Sequence, residues 1–143
     1  MKRIITFGTF DVLHIGHVNI LERARALGDY LIVGVSSDEL NLKKKGRRPI
    51  YSQEDRLKII GSLRFVDRVF TEESLEQKAE YILEHQADVL VMGDDWKGGF
   101  DDMRRHCEVV YLPRTPSIST TEVIEVVRRG ASVPAERGQE GPV

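Results

Sequence analysis

The stretch RIITFGTFDVLHIGHVNILERARALGDYLIVGV, residues 3–35, decides the fold of this chain. Its two ends, RIITF (3–7) and LIVGV (31–35), are continuous apolar runs rich in β-branched residues, the pattern of strands buried on both faces of a parallel sheet. Between them Leu21, Ala24 and Leu27 recur at helical spacing behind a loop of small and polar residues. Strand, loop, helix and strand in that order make a βαβ unit.

Further along the chain, VLVMG (89–93) and EVVYL (108–112) read as two more strands, and VDRVF (66–70) as a fifth with two charges inside it. Helix starts are marked by Ser52 with Asp55, Ser74 with Gln77 and Ser119 with Glu122, the last the best capping box in the chain. The alternation predicts an α/β protein: a Rossmann-like, doubly wound, mainly parallel five-stranded sheet flanked by helices, with right-handed crossovers. The expected organisation is one domain over 1–129 and a flexible C-terminal tail over 130–143, GASVPAERGQEGPV, which has few apolar groups to bury.

Composition narrows the function classes. The 143 residues suit one domain with one principal site, and 41% hydrophobic with 31% charged residues is the balance of a globular chain. Lys and Arg number 21 against 23 Asp and Glu, a formal charge of −2, so no global positive field holds a nucleic acid. Cys107, the only cysteine, cannot close an intrachain disulfide and reads as a small core residue; no Cys/His set has zinc-ligand spacing. The apolar run after Lys2 and Arg3 is broken by Gly8, Thr9 and Asp11 before it makes a signal-peptide core, and no stretch is long enough to span a bilayer. The chain therefore reads as cytoplasmic, with no membrane insertion and no nucleic-acid partner. His85 and His106 receive no role.

Ligands of open α/β sheets bind beyond the carboxyl ends of the strands. There the unusual residues cluster: Gly8-Thr9-Phe10-Asp11 and His14-Ile15-Gly16-His17 after the first strand, Ser36-Ser37-Asp38 after the second, Gly93-Asp94-Asp95-Trp96 after the fourth, Pro113-Arg114-Thr115 after the fifth. His14 and His17, three apart, share one face at the start of a helix, where backbone N–H groups favour anions, and Gly16 leaves room for a ligand to come close. For an isolated HxxH the plainer reading, two rings that cap and pack the first turn, is favoured; zinc is weaker, because helical ligand pairs are usually four apart. RTPSISTT (114–121) is a second anion candidate, combining a guanidinium, hydroxyls and free helix N–H groups, or else an ordinary capped helix after a proline turn. Neither GxxxxGK[ST] nor GxGxxG occurs.

Taken together, GTFDVLHIGH (8–17) and RTPSISTT resemble the HxGH cytidylyltransferases of the nucleotidyltransferase superfamily. GDYLIVGVSSDE, the Arg56 helix, LRFVD, LEQK, DVLVMGDDW and CEVVYLPRT follow in the order and spacing of the branch acting on glycerol 3-phosphate, over about residues 1–128. The resemblance implies transfer of CMP from CTP to sn-glycerol 3-phosphate, giving CDP-glycerol and pyrophosphate for teichoic-acid-type cell-wall polymers. Such a reaction needs no nucleophilic triad, because a phosphate monoester with a second pKa of about 6 is already largely ionised at neutral pH. The enzyme's task is alignment and neutralisation of phosphate charge.

Carried over residue by residue, the resemblance makes His14, His17, Lys44 and Arg114 catalytic. It assigns CTP to Gly8, Thr9, Phe10, Asp11, Ile15 and Gly16 with the two histidines, to Asp94 and Asp95 for base and ribose, and to Arg114, Thr115, Pro116, Ser117, Ile118, Ser119, Thr120 and Thr121 for the triphosphate. Acceptor binding falls to Lys44, Arg56, Arg64 and Lys78. Lys44 belongs to a basic loop, Lys43 to Arg48, that closes over the substrates with Gly46 as hinge; on composition alone that run is a solvated charged face. The chain departs from the pattern in a longer basic loop, in Leu75 where Trp is frequent, and in Pro116-Ser117 where Glu-Gly is common; Trp96 is expected to pack. Mg2+ bound mainly through CTP phosphates, with no dedicated protein metal site, and a homodimer complete the expectation. The alternatives are the same chemistry on another phosphorylated alcohol or with ATP, and a nucleotide sensor without turnover.

Overall fold

The apolar runs become β1 (Arg3–Gly8), β2 (Tyr30–Ser36), β3 (Arg68–Glu72), β4 (Val89–Gly93) and β5 (Glu108–Leu112), joined by α1 (Ile15–Arg25), α2 (Asp38–Lys45), α3 (Gln53–Gly61), α4 (Lys78–Glu84) and, after β5, α5 (Thr120–Arg129). This computed structural model describes residues 1–116 and 118–130; Ser117 and positions 131–143 of the anticipated tail lie outside the described residues. The strands pair in parallel in the order β3-β2-β1-β4-β5, the anticipated five-stranded sheet.

Period-two alternation divides the apolar residues between two cores. Ile4, Leu31, Val33, Val35, Val89 and Val91 face Leu21 and Ala24 of α1 and Ile60 of α3. Ile5, Phe7, Ile32, Leu90, Met92 and Val109 face Ile82 of α4, with Phe100 and Met103 packed alongside. Gly34 is glycine for a packing reason: a Cβ there would lie 2.6 Å from the Phe7 ring and 2.8 Å from that of Phe70, which meet edge to face at 5.8 Å.

Two local expectations are corrected. The third strand begins two residues later than the apolar pattern suggested, because Asp67 is engaged by the start of β2: its Oδ2 accepts from Leu31 N–H at 2.8 Å and its own N–H donates to Leu31 O at 2.9 Å. Ser74 does not cap through Gln77; its Oγ accepts from Glu76 N–H at 3.2 Å over a single 3₁₀ turn, and α4 follows without a side-chain cap. Ser52 and Ser119 cap α3 and α5 as anticipated, accepting from Asp55 and Glu122 N–H. Ser37 adds a cap on α2, accepting from Leu40 N–H at 3.0 Å.

The strand order reverses between β1 and β4, so the crevice outside their carboxyl ends is where a ligand site forms. Overpacking the sheet tests the two-core description. Gly34→Val is expected to destabilise the protein by about 2 kcal/mol, read as a lower urea midpoint at unchanged slope.

Candidate active site

The loop after β1 reaches α1 through two non-glycine residues in the left-handed region, Phe10 (φ 54°) and Val12 (φ 50°). The Phe10 ring folds back on Gly8, where a Cβ would come within 2.8 Å of it, and lies edge to face with His17 at 5.5 Å. His14 is the N-cap of α1: its Nδ1 accepts from Gly16 N–H at 3.0 Å, while His17 Nδ1 accepts from His14 N–H at 3.2 Å. The pair is a capping box written with two imidazoles instead of a hydroxyl and a carboxylate. An accepting Nδ1 carries no proton, so each neutral ring bears its hydrogen on Nε2. The rings stack with centroids 3.7 Å apart and planes 23° from parallel. Burial, with the neighbouring His14 adding to it, pushes the His17 pKa down to about 3, so His17 is a neutral N–H donor throughout the physiological range. The capping reading and the functional reading are thus one arrangement: capping fixes the donors.

Gly16 has a different reason from the one its spacing suggested. A Cβ there would meet His14 Cε1 at 2.8 Å and Nδ1 at 2.9 Å, and Ile118 at 3.3 Å. The space belongs to the catalytic candidate's own ring and to the buried Ile118, not to an approaching ligand.

The second anion candidate docks on the first. Asn19 Nδ2 on α1 donates to Thr115 Oγ1 at 2.9 Å, and Thr120 Oγ1 donates to Asp11 O at 2.8 Å, so the N-termini of α1 and α5 open side by side. With Ser119 Oγ capping α5, the hydroxyls of Thr115, Ser119 and Thr120 are engaged in the fold. They hold the helix start in place, and the groups presented outward are the exposed Arg114 guanidinium, the exposed Thr121 and Pro116, and the backbone N–H groups of the first turn. Ile15 is 42% exposed at the same mouth. Ser117 lies outside the described residues.

Several assigned ligands are placed elsewhere by the geometry. Asp11 is buried, and its carboxylate accepts from Ile50 N–H at 2.7 Å and Tyr51 N–H at 3.0 Å, tying the loop before α3 to the loop after β1. Thr9 Oγ1 is engaged with Ser36 Oγ and Asn41 Oδ1. Arg56 is fully buried and donates to Thr9 O, Ser36 O, Tyr51 O and Asp38 Oδ1, so it builds the site without facing an acceptor. Lys78 is buried against Glu72 at 2.5 Å and over the Phe7 ring at 4.1 Å. Arg64 stands in the turn between the C-terminus of α3 and the start of β3, at the amino end of the sheet and away from the crevice. Lys43, Lys44 and Lys45 form the last turn of α2, and Gly46 (φ 74°) is its left-handed C-cap, donating to Leu42 O, where a hinge was anticipated. Lys44 nevertheless faces the rim; partial burial pulls its ammonium down, Glu72 supports it, and Lys45, Lys78 and Arg56 oppose it.

Across the switch point, Asp94, Asp95 and Trp96 form an exposed 3₁₀ turn after β4. Trp96 packs on Phe100 at 5.5 Å and stays 49% exposed. Asn41 was missed by sequence reasoning. It is 1% exposed, and its amide donates to Ser36 O, Ser36 Oγ and Ser37 O, but inside DELNLKKK it reads as part of a solvated helix. Cys107 is half-buried, its thiol pushed up by burial, and His85 is buried in a stack on Phe70 at 4.3 Å. Among the described residues no helix is long and apolar enough to cross a membrane.

A family model described as cytidylyltransferase-like matches residues 5–126. The chain belongs to this cytidylyltransferase-like family. Glycerol-3-phosphate cytidylyltransferase of Bacillus subtilis (strain 168) is 53% identical over 127 residues, covering 89% of this chain and 98% of that one. The enzyme of the same name from Staphylococcus aureus is 48% identical over 123 residues, covering 86% of this chain and 92% of its own length. Among solved structures, a lipopolysaccharide core biosynthesis protein from Thermoplasma volcanium superposes with a TM-score of 0.69 at 28% identity, over 80% of this chain and 98% of that one. Within the cytidylyltransferase-like family fold, the histidine pair and the α5 N-terminus face the β1–β4 crevice together.

Two outcomes test this geometry. Gly16→Ala is expected to displace the His14 ring and lower kcat by about 10- to 100-fold while Tm stays near the parent's, because the helix preference of alanine and the weakened His14 cap, each about 1 kcal/mol, oppose one another. His17 binds no proton in the folded chain between about pH 6.5 and 3, whereas the unfolded chain does, so its contribution is full above 6.5 and is lost as pH falls toward 3. Urea midpoints from pH 7 to pH 4 should therefore fall less in His17→Ala than in the parent.

Proposed function

We propose that this protein transfers CMP from CTP to sn-glycerol 3-phosphate, releasing pyrophosphate and forming CDP-glycerol, an activated precursor for teichoic-acid-type cell-wall polymers. The observation that carries the reading is the stacked His14 and His17 pair, held at the switch point of the sheet with both Nε2 hydrogens fixed as donors. Identity of 53% to a protein of that name, over 98% of its length, supports the choice of donor and acceptor.

The acceptor's phosphate oxygen attacks the α-phosphorus of CTP; the new O–P bond forms as the bond to pyrophosphate breaks. No side chain has to remove a proton, since the monoester is ionised. His14 and His17 donate hydrogen bonds to the non-bridging and leaving oxygens as charge builds there. Arg114 and the N-terminus of α5 receive the leaving pyrophosphate, and Lys44 meets the acceptor phosphate. Asp94 and Asp95, with the exposed Trp96, form the wall for the nucleoside.

Mg2+ enters this reading on the nucleotide's phosphate oxygens. Among the described residues no group of three or more His, Cys, Asp or Glu converges on a point. Such an ion keeps most of its shell as water and substrate oxygen, and the exposed rim carboxylates Asp94 and Asp95 would hold it through its waters. When bound, it neutralises phosphate charge. The reading further takes the protein as a cytoplasmic homodimer, in which Arg64 belongs to the side facing the partner.

The experiment is pyrophosphate release with Mg2+, pairing CTP or ATP with glycerol 3-phosphate, ethanolamine phosphate or ribitol 5-phosphate, and identifying the nucleotide product by mass. Release confined to CTP with glycerol 3-phosphate is expected; release only with another pair refutes the substrate assignment. His17→Ala should bind CTP while losing about 10²- to 10³-fold in kcat, the usual cost of deleting one transition-state donor.

A further inference from the structure

Glu72 takes no part in the chemistry above, yet it is 2% exposed at the last position of β3, on the same rim as the site. Its Oε2 accepts from Lys78 Nζ at 2.5 Å, and that ammonium is seated 4.1 Å from the Phe7 ring centroid and 5.2 Å from that of Phe100. Its backbone carbonyl accepts at 2.9 Å from the N–H of Ser37, the residue that caps α2. Glu72 therefore fastens the beginning of the helix whose last turn carries Lys44.

A carboxylate beside a phosphate site repels the substrate unless it is neutralised. Here the buried Lys78 neutralises it and is itself out of reach, 5% exposed at the side chain, which leaves Lys44 as the exposed cation of the corner. Lys44 is crowded by like charge from Lys45, Lys78 and Arg56, and Glu72 is the carboxylate that opposes them. Asp38, the other acid at this corner, is paired with Arg56 at 2.8 Å.

Resting on the reading that an acceptor phosphate docks at Lys44, we propose that Glu72 is a positioning residue for acceptor binding: its carboxylate locks Lys78 in place and is the negative charge set against the positive neighbours of Lys44, and its backbone carbonyl anchors the start of α2. It acts through Lys44 and touches no substrate.

Glu72→Gln keeps the shape and removes the charge. Without the carboxylate Lys44 loses its proton at lower pH, so the KM for glycerol 3-phosphate rises earlier as pH increases. From about pH 7 to pH 9 that KM should be nearly flat in the parent and rise about tenfold in the variant, while KM for CTP changes less than about twofold, one unit of pKa being tenfold in the ionisation ratio. Glu72→Asp, which keeps the charge, should restore most of the flat profile. Adding Lys44→Arg to Glu72→Gln should abolish the pH dependence, because a guanidinium stays charged; persistence of the dependence there would overturn the link to Lys44. Removing one partner of a buried pair is costly to folding, so Glu72→Gln combined with Lys78→Met serves as a neutral pair. It still deprives Lys44 of the stronger of the two charges and should show the same early rise. A folded variant of either kind with the parent's profile overturns the proposal. A parent enzyme with no turnover on glycerol 3-phosphate overturns the substrate reading instead.

Discussion

Four hydrogen bonds converge on the guanidinium of Arg56, and their acceptors come from three separate segments of the chain: Thr9 O at 2.9 Å, Ser36 O at 2.7 Å with Asp38 Oδ1 at 2.8 Å, and Tyr51 O at 3.0 Å. The side chain is fully buried. A charge so far from water persists only when its donors are met, and the planar fork of arginine meets several acceptors at once where lysine could not. Through Arg56 the loops after β1 and β2 and the entry to α3 become one rigid rim, and Asp11 completes it by receiving the N–H groups of Ile50 and Tyr51. Everything chemical in the site stands on this frame.

What stands on it is economical in ionisable groups. The histidine pair is neutral by construction, since each Nδ1 accepts a backbone hydrogen and His17 is held far below its ordinary pKa by burial. Neutral donors suit a reaction whose nucleophile is already an anion, because they stabilise developing charge without a proton transfer to time. In the proposed reaction positive charge stands at two points of the rim, the exposed Arg114 and Lys44. The acid beside Lys44 is itself neutralised by a buried lysine.

Much of this was legible in the sequence. The five strands, the parallel sheet and the clustering of polar residues at the carboxyl ends follow from apolar runs and from what comes after each of them. HxGH and RTPSISTT fall where the topology brings two helix N-termini together. Less legible was which groups face outward. Arg56, Lys78, Asp11 and the hydroxyls of Thr9, Thr115 and Thr120 have the residue types of ligands, and the fold engages them as struts. Gly16 and Gly46 have the look of a ligand gap and a hinge; the first makes way for an imidazole and the second ends a helix. Asn41 and Glu72 went unremarked for the opposite reason, each a polar residue in an unremarkable charged stretch.

By itself, then, the sequence determined the architecture and the location of the site, because strand burial, helix periodicity and capping are local patterns read within a few residues of each position. Only the tertiary structure decided the roles within that site. The partners that make a group a strut or leave it a ligand lie far along the chain: Thr9 O is 47 residues from Arg56, and Thr120 is 109 from the Asp11 carbonyl it binds. A hydrogen bond removes a donor from the substrate's reach whatever the distance in sequence, and no local pattern records it.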